Sequence, residues 1–247
     1  LDGQPEPPKY FAMMKKLNKE GPAVLHGLPV PQHLPFNRLT QLLEEGAVLV
    51  DTRSPAAFAS MHVPGTINIP YDGSFANWAG WLLDYDRSFY LIADSARIAE
   101  INRDLIYIGL DNAAGYFDPS AIDAWGESGH SLESYTVTNP ENVADQVTGN
   151  EVTVVDVRSL SEWDEGHVPG ARHIMLGYLP DRLSEIPADK PVVVQCQTGN
   201  RSAIGASILQ AYGFEQVFNL MGGYRDWENA GLPVERNGKV KESPVAA

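Results

Sequence analysis

Val50-Asp51-Thr52-Arg53-Ser54 followed by His62-Val63-Pro64-Gly65 is answered 105 positions later by Val155-Asp156-Val157-Arg158-Ser159 followed by His167-Val168-Pro169-Gly170. The register holds between and beyond these blocks, with Phe58 opposite Trp163 and Ile69 opposite Ile174. A period this long is too large for a solenoid repeat and suits a duplicated domain. The 247 residues are therefore read as two related domains of about 100 residues each, either able to bury a core. The expected divisions are an irregular segment over 1–33, a first domain over 34–136 and a second over 137–247.

Short apolar runs rich in β-branched residues, Ala47–Val50 and Val152–Val155, each end in an Asp, as buried parallel strands do. Pro191–Gln195 is another such run. After a turn, Ser202–Tyr212 carries a broad apolar helical face that Gly213 stops. Val217–Leu220 follows as a strand, and Gly222-Gly223 turns into a short helix around Trp227. The first copy keeps this outline, with Ser88–Ile92 as strand, Ala96–Ile108 as helix, Gly109 as stop, and Trp125 standing before Gly129 as Trp227 stands before Gly231. Alternating strands and helices predict an α/β fold, here two doubly wound domains, each a small parallel sheet flanked by helices. Ser134–Pro140, polar and ending in Pro, is expected to link them. The prolines and glycines around the amphipathic stretch Tyr10–Leu17 make the N-terminal segment too irregular and short for a domain.

Chemistry concentrates on a loop found in one copy. Cys196-Gln197-Thr198-Gly199-Asn200-Arg201 lies between a buried strand and a helix N-terminus, where inward backbone N–H groups and the positive helix end stabilise a thiolate, the condition for nucleophilic attack. Gly199 lets the loop curl, and Arg201 supplies a planar cation for the oxyanion end of a substrate. The competing reading makes Cys196 a small buried apolar residue at a strand end. Glycine at the third place after it and arginine at the fifth favour the nucleophile.

Asp156-Val157-Arg158, Glu162-Trp163, Gly166-His167-Val168-Pro169-Gly170-Ala171, Val192 through Ser202 around Cys196, Gly222-Gly223-Tyr224-Arg225-Asp226-Trp227 and Gly231-Leu232-Pro233-Val234 together resemble the rhodanese family of sulfurtransferases. The resemblance spans about 151–235. It implies that Cys196 accepts a sulfane sulfur from thiosulfate or a low-molecular-weight persulfide and hands it to a thiol, sulfite or cyanide. It also implies that Gln197, Thr198, Gly199, Asn200 and Arg201 cradle the substrate anion. Asp156 and Arg158, at the end of a strand, are read as a supporting hydrogen-bonded pair near the site rather than as reacting groups. No metal or cofactor is called for. A cysteine-loop phosphatase or arsenate reductase is the rival enzyme, but those resemble Cys, five residues and Arg, whereas four residues separate Cys196 from Arg201. A non-catalytic sulfur carrier or regulatory module is the rival outside catalysis.

In the first copy the Cys196 position falls near Asp94, in a loop read as about two residues shorter, and no thiol is available. Asp94 would fill an anion cradle with its own charge, so this copy resembles an inactive rhodanese domain kept for packing or partner binding. Trp78, Trp81 and Tyr85 either pack in its core or cover its degenerate site. His62 and His167 are read as fixing their turns rather than as bases, and His26, His33, His130 and His173 show no metal-ligand spacing.

Eighteen Lys+Arg against 32 Asp+Glu leave a formal charge of -14, which disfavours nucleic acid and anionic membrane. No apolar run approaches the roughly 18 residues of a membrane span. One cysteine excludes an intrachain disulfide framework and suits the cytoplasm. Pro8-Lys9-Tyr10-Phe11 through Met14, Asn18 and Gly21-Pro22-Ala23 resembles the tail that follows the metallo-β-lactamase fold in persulfide dioxygenases. That resemblance makes the chain, which opens on Leu1, the rhodanese portion of a longer enzyme with an upstream dioxygenase domain.

Overall fold

The valine-rich runs form the centres of two separate parallel sheets. The computed structural model describes residues 7–8, 10–21, 27–236 and 238–241. Packing divides the chain into a unit ending at Glu133 and a unit starting at Ser134.

The first unit holds helices α1 (Tyr10–Glu20), α2 (Asn37–Glu44), α3 (Pro55–Ser60), α4 (Phe75–Leu82), α5 (Ile98–Tyr107) and α6 (Ser120–Glu127). They surround a sheet of order β2-β1-β3-β4, with β1 Val48–Asp51, β2 Ile67–Asn68, β3 Phe89–Ile92 and β4 Ala113–Phe117, paired in parallel throughout. Alternation along the strands separates two cores. Val50, Leu91 and Tyr116 face one cluster with Phe75 and Leu105, while Leu49, Ile92 and Phe117 face another with Leu39 and Trp125. Trp81 is buried on α4 and Trp78 and Tyr85 pack against the first cluster, so core packing is what these aromatics do. Beyond β4 the edge shrinks to a bridge between His33 and Tyr116.

The second unit repeats the plan with a full fifth strand. Its order is β5-β9-β8-β6-β7, with β5 Thr136–Thr138, β6 Thr153–Asp156, β7 Arg172–His173, β8 Val192–Gln195 and β9 Val217–Leu220. The stretch expected as a linker therefore contains an edge strand, whose threonines tolerate the solvent that an edge admits. Helices α7 (Pro140–Thr148), α8 (Leu160–Glu165), α9 (Asn200–Ala211) and α10 (Gly223–Asn229) cover the sheet, and a small hairpin of β10 (Val234–Arg236) and β11 (Lys239–Lys241) follows. Every residue of β8 is buried, as is every residue of α9 from Ser202 to Leu209, which explains why that helix is apolar on all sides.

Two α/β units, each a small parallel sheet flanked by helices, are what the repeat requires. Observed element bounds differ from the expected ones by at most two residues, and Val217–Leu220 is identical. Among the described residues no helix is long and apolar enough to cross a membrane, and no group of three or more His, Cys, Asp or Glu converges on a metal position. Tyr10–Leu17 lies within α1, whereas Lys9, Pro22, Ala23 and His26 lie outside the described residues.

Candidate functional site

Cys196 is the first residue past β8, at the carboxyl edge of the second sheet, where open α/β sheets place their ligands. Its residue is only 1% exposed, yet the sulfur has polar company. The Gly199 N–H donates to Sγ at 3.1 Å, and Ser202 Oγ stands 3.5 Å away. The single Ser202 hydroxyl hydrogen is taken by Asn219 Oδ1 at 2.6 Å, and Asn219 Nδ2 donates to the Gly199 carbonyl at 3.2 Å. One β9 side chain thereby ties the loop to the start of α9.

Carbonyl groups of the loop turn away from this centre. The Tyr224 N–H donates to the Cys196 carbonyl at 2.7 Å, Gly222 N–H to Thr198 at 3.1 Å and Arg225 N–H to Gln197 at 3.3 Å. The backbone at Gly223 must come so close that a Cβ there would collide with the Cys196 carbonyl, and Gly199, at φ +106°, is left-handed. Among the described residues, the N–H groups of Gln197, Thr198, Asn200 and Arg201 take no protein acceptor. Gln197 and Thr198 belong to the loop, and Asn200 and Arg201 to the first turn of α9, where helix donors have no carbonyl of their own helix to bond.

Beneath the loop lies a buried ion pair. Asp156, at the end of β6, is 0% exposed and Arg158 1%. Arg158 donates from Nε to both carboxylate oxygens at 3.0 Å, from NH2 to Oδ2 and to the Gly166 carbonyl at 2.7 Å each, and from NH1 to Gln197 Oε1 at 3.3 Å. Its guanidinium also lies 4.2 Å from the Tyr224 ring centroid. The pair thus touches the loop through Gln197 and not through Cys196.

Arg201 is not a free cation at the rim. Its NH1 and NH2 donate to Glu162 Oε2 and Oε1 at 2.7 and 2.6 Å. Glu162 also receives the Ser159 N–H at 3.1 Å, closing a capping box at the head of α8. Burial would raise the Glu162 carboxyl, but the Arg201 hydrogen bonds and charge, with Ser159, outweigh it and hold it at about 2. Glu162 had no role assigned from sequence. The Ser159-x-x-Glu162 spacing was its signal for the cap, and nothing in sequence spacing shows that it also reaches Arg201. Sequence reasoning does not single out Gln195 either: it is wholly buried, and among the described residues neither atom of its amide has a partner.

The histidines hold turns, as expected. His167 Nδ1 lies 3.0 Å from the Trp163 carbonyl with the two rings stacked at 3.5 Å, and His62 repeats this with Phe58 at 2.8 and 3.8 Å. Sheet register corrects the alignment of the first copy. Asp51 pairs with Ile92 as Asp156 pairs with Gln195, so Ala93, and not Asp94, stands where Cys196 does, and Asp94 matches Gln197. The first-copy loop is also not two residues shorter. Five residues separate β3 from α5 and four separate β8 from α9, because Arg97, which matches Asn200 at the start of α9, still belongs to a turn. Carboxylates answer two amides of that loop: Asp94 Oδ1 accepts the Ala96 N–H at 2.9 Å, and Asp118 Oδ1, just past β4, accepts the Ser95 N–H at 3.3 Å.

A family model described as "Rhodanese-like domain" matches residues 36–122 and again 139–230. A sulfurtransferase of Allochromatium vinosum is 38% identical over 84 residues, 34% of this chain and 78% of the relative. A thiosulfate sulfurtransferase of Ectopseudomonas mendocina is 34% identical over 84 residues, 34% of this chain and 77% of the relative. Among solved structures, a metallo-beta-lactamase from Staphylococcus aureus is 38% identical, with 48% of this chain and 33% of that chain covered at a TM-score of 0.41. The two matched stretches fall one on each sheet and between them take in most of the sequence, so the chain belongs to the rhodanese-like family in duplicate.

Proposed function

We propose that the second unit is a sulfurtransferase in which Cys196 carries a sulfane sulfur between a small anionic donor and a nucleophilic acceptor. With thiosulfate as donor, thiolate Sγ attacks the outer sulfur, the sulfur–sulfur bond breaks, and sulfite departs with the bonding pair. The terminal sulfur of the resulting persulfide is then taken by a thiolate, sulfite or cyanide, and the Cys196 thiolate returns. The observation that carries this reading is the Gly199 N–H on Sγ beside the unanswered N–H groups of Gln197, Thr198, Asn200 and Arg201. Donors already placed where negative charge develops need no reorganisation, and removing one such donor typically costs on the order of 3 kcal/mol of barrier.

Arg201 acts in this reading through its place beside the loop and its bond to Glu162, and Asp156 and Arg158 support Gln197 from below. Low-molecular-weight persulfides serve as donors by the same displacement. The N-terminal resemblance makes an upstream metallo-β-lactamase-fold dioxygenase the partner that we infer, and a lone thiol suits the cytoplasm. Intact mass spectrometry after thiosulfate tests the site: one added sulfur, removable by cyanide and absent from Cys196→Ser, is expected. An unmodified wild type, or hydrolysis of an aryl phosphate in place of sulfur transfer, would overturn the assignment.

A further inference from the structure

At the carboxyl edge of the first sheet, the position that Cys196 occupies in the second, lies a cleft of about 560 Å³. That volume falls in the range of small-molecule sites. Pro55, Pro70, Ile101 and Pro119 give it an apolar lining, and Arg53, Arg97, Asp72 and Asp94 give it charge.

Both arginines keep donors for a ligand: Arg53 because a partner of its second-copy counterpart is missing, and Arg97, which register matches to Asn200, because it stands half exposed at the cleft. Arg53 binds Asp51 through Nε and NH2 and the Met61 carbonyl through NH2, as Arg158 binds Asp156 and Gly166. Its NH1, however, has no protein acceptor among the described residues: the residue matching Gln197 is Asp94, whose carboxylate is turned to its own Ala96 N–H. Arg53 is 18% exposed where Arg158 is 1%. Arg97 lies over the Tyr71 ring at 4.2 Å, half exposed, with one long contact of 3.4 Å to Glu100. The N3 position of α3, which in α8 carries Glu162 and captures Arg201, is Ala57, itself part of the cleft wall.

We propose that this cleft binds a small zwitterion of amino-acid or short-peptide type. Its carboxylate is received by the Arg53 and Arg97 guanidinium groups, its ammonium by Asp72 or Asp94, and its body lies on the prolines and Ile101. Guanidinium donors and carboxylates line the cleft together, which favours a ligand that carries both signs over a bare dianion. Pre-positioning of Arg97 on Tyr71 lowers the ordering cost of the carboxylate contact. The site uses no sulfur chemistry and stands independently of the role given to Cys196.

Isothermal titration of the full chain with trialanine, N-acetyl-trialanine and trialanine amide tests it, since none of the three can react at a thiol. Trialanine is expected to bind at one site, and blocking either end should weaken binding by about tenfold or more, the effect of losing a charge-assisted hydrogen bond. Arg97→Ala should weaken trialanine similarly. Ala57→Glu, which restores the carboxylate that the second copy has, should compete for Arg97 and do the same. Both positions are partly or largely exposed, and an unchanged melting temperature confirms that each variant is folded. Equal binding of all three peptides, no heat at millimolar trialanine, indifference to both substitutions, or saturable binding of sulfate without trialanine would overturn the proposal.

Discussion

The two carboxyl edges differ in which groups answer the loop amides. In the second unit the loop carbonyls are tied back to Gly222, Tyr224 and Arg225, and among the described residues the amides around Cys196 face no protein acceptor except Sγ itself. In the first unit the carboxylates of Asp94 and Asp118 already sit on the amides of Ala96 and Ser95. Beneath both loops the same Asp-x-Arg pair and the same stacked His turn remain. A feature kept in a copy that lacks the thiol cannot be explained by thiol chemistry. The pair and the turn therefore belong to the scaffold, and the site's chemistry is confined to the loop.

Moving the thiol is the strongest test of that separation. In a Cys196→Ser background, Ala93→Cys places a sulfur at the matching register position, and it is expected to take up no sulfane sulfur from thiosulfate by intact mass. Two of the amides there are already answered by Asp94 and Asp118, so an incoming anion meets two carboxylates where the second copy offers unanswered donors. Sulfur loading at residue 93 would break the comparison, because the strand-to-helix position alone would then suffice.

Removing the scaffold arginines ranks next. Arg158→Ala leaves Asp156 buried without its partner, a change that typically costs about 3–5 kcal/mol. Arg53→Ala should cost less, about 1–3 kcal/mol, because Arg53 is partly exposed and its removal opens the buried Asp51 carboxylate to water. Native-state hydrogen exchange reads the two sheets separately, through amide protection on β8 and on β3. Equal losses would mean that the partly exposed guanidinium of the first copy is no easier to replace with solvent.

What the sequence discloses follows how local each interaction is. The duplication, the central strands and the cysteine loop are written in contiguous residues, and hydrophobic runs with glycine stops place them to within a residue or two. Polarity misleads at the edge: Thr136–Thr138 look like a linker, because an edge strand exposes its side chains as a linker does. The alignment of Asp94 with Cys196 fails for a different reason. Only cross-strand register, Asp51 to Ile92 and Asp156 to Gln195, sets the place of Ala93, and pairing partners are not adjacent in the chain. The Arg201–Glu162 contact joins residues 39 apart, and no spacing rule ties a capping glutamate to a loop arginine.

The smallest expected effect isolates that contact. Glu162 lies below its ordinary value of 4.5, at about 2, so the stability it contributes is complete above about pH 4.5 and is lost as the pH falls towards 2. Since its side chain is 28% exposed, solvent screening reduces the contribution to about 1–2 kcal/mol. Glu162→Gln keeps the shape and part of the cap but loses the charge. It should lower stability by that amount at pH 7, while the gap to wild type closes between pH 4.5 and 2 in thermal melts followed by circular dichroism. The first copy, with Ala57 at this position, has no such group, so protection on β3 should be indifferent to the substitution at every pH. A gap that stays constant down to pH 2 would mean that the Arg201 clamp stabilises by shape alone, and the difference between the two copies would then lie in packing and not in charge.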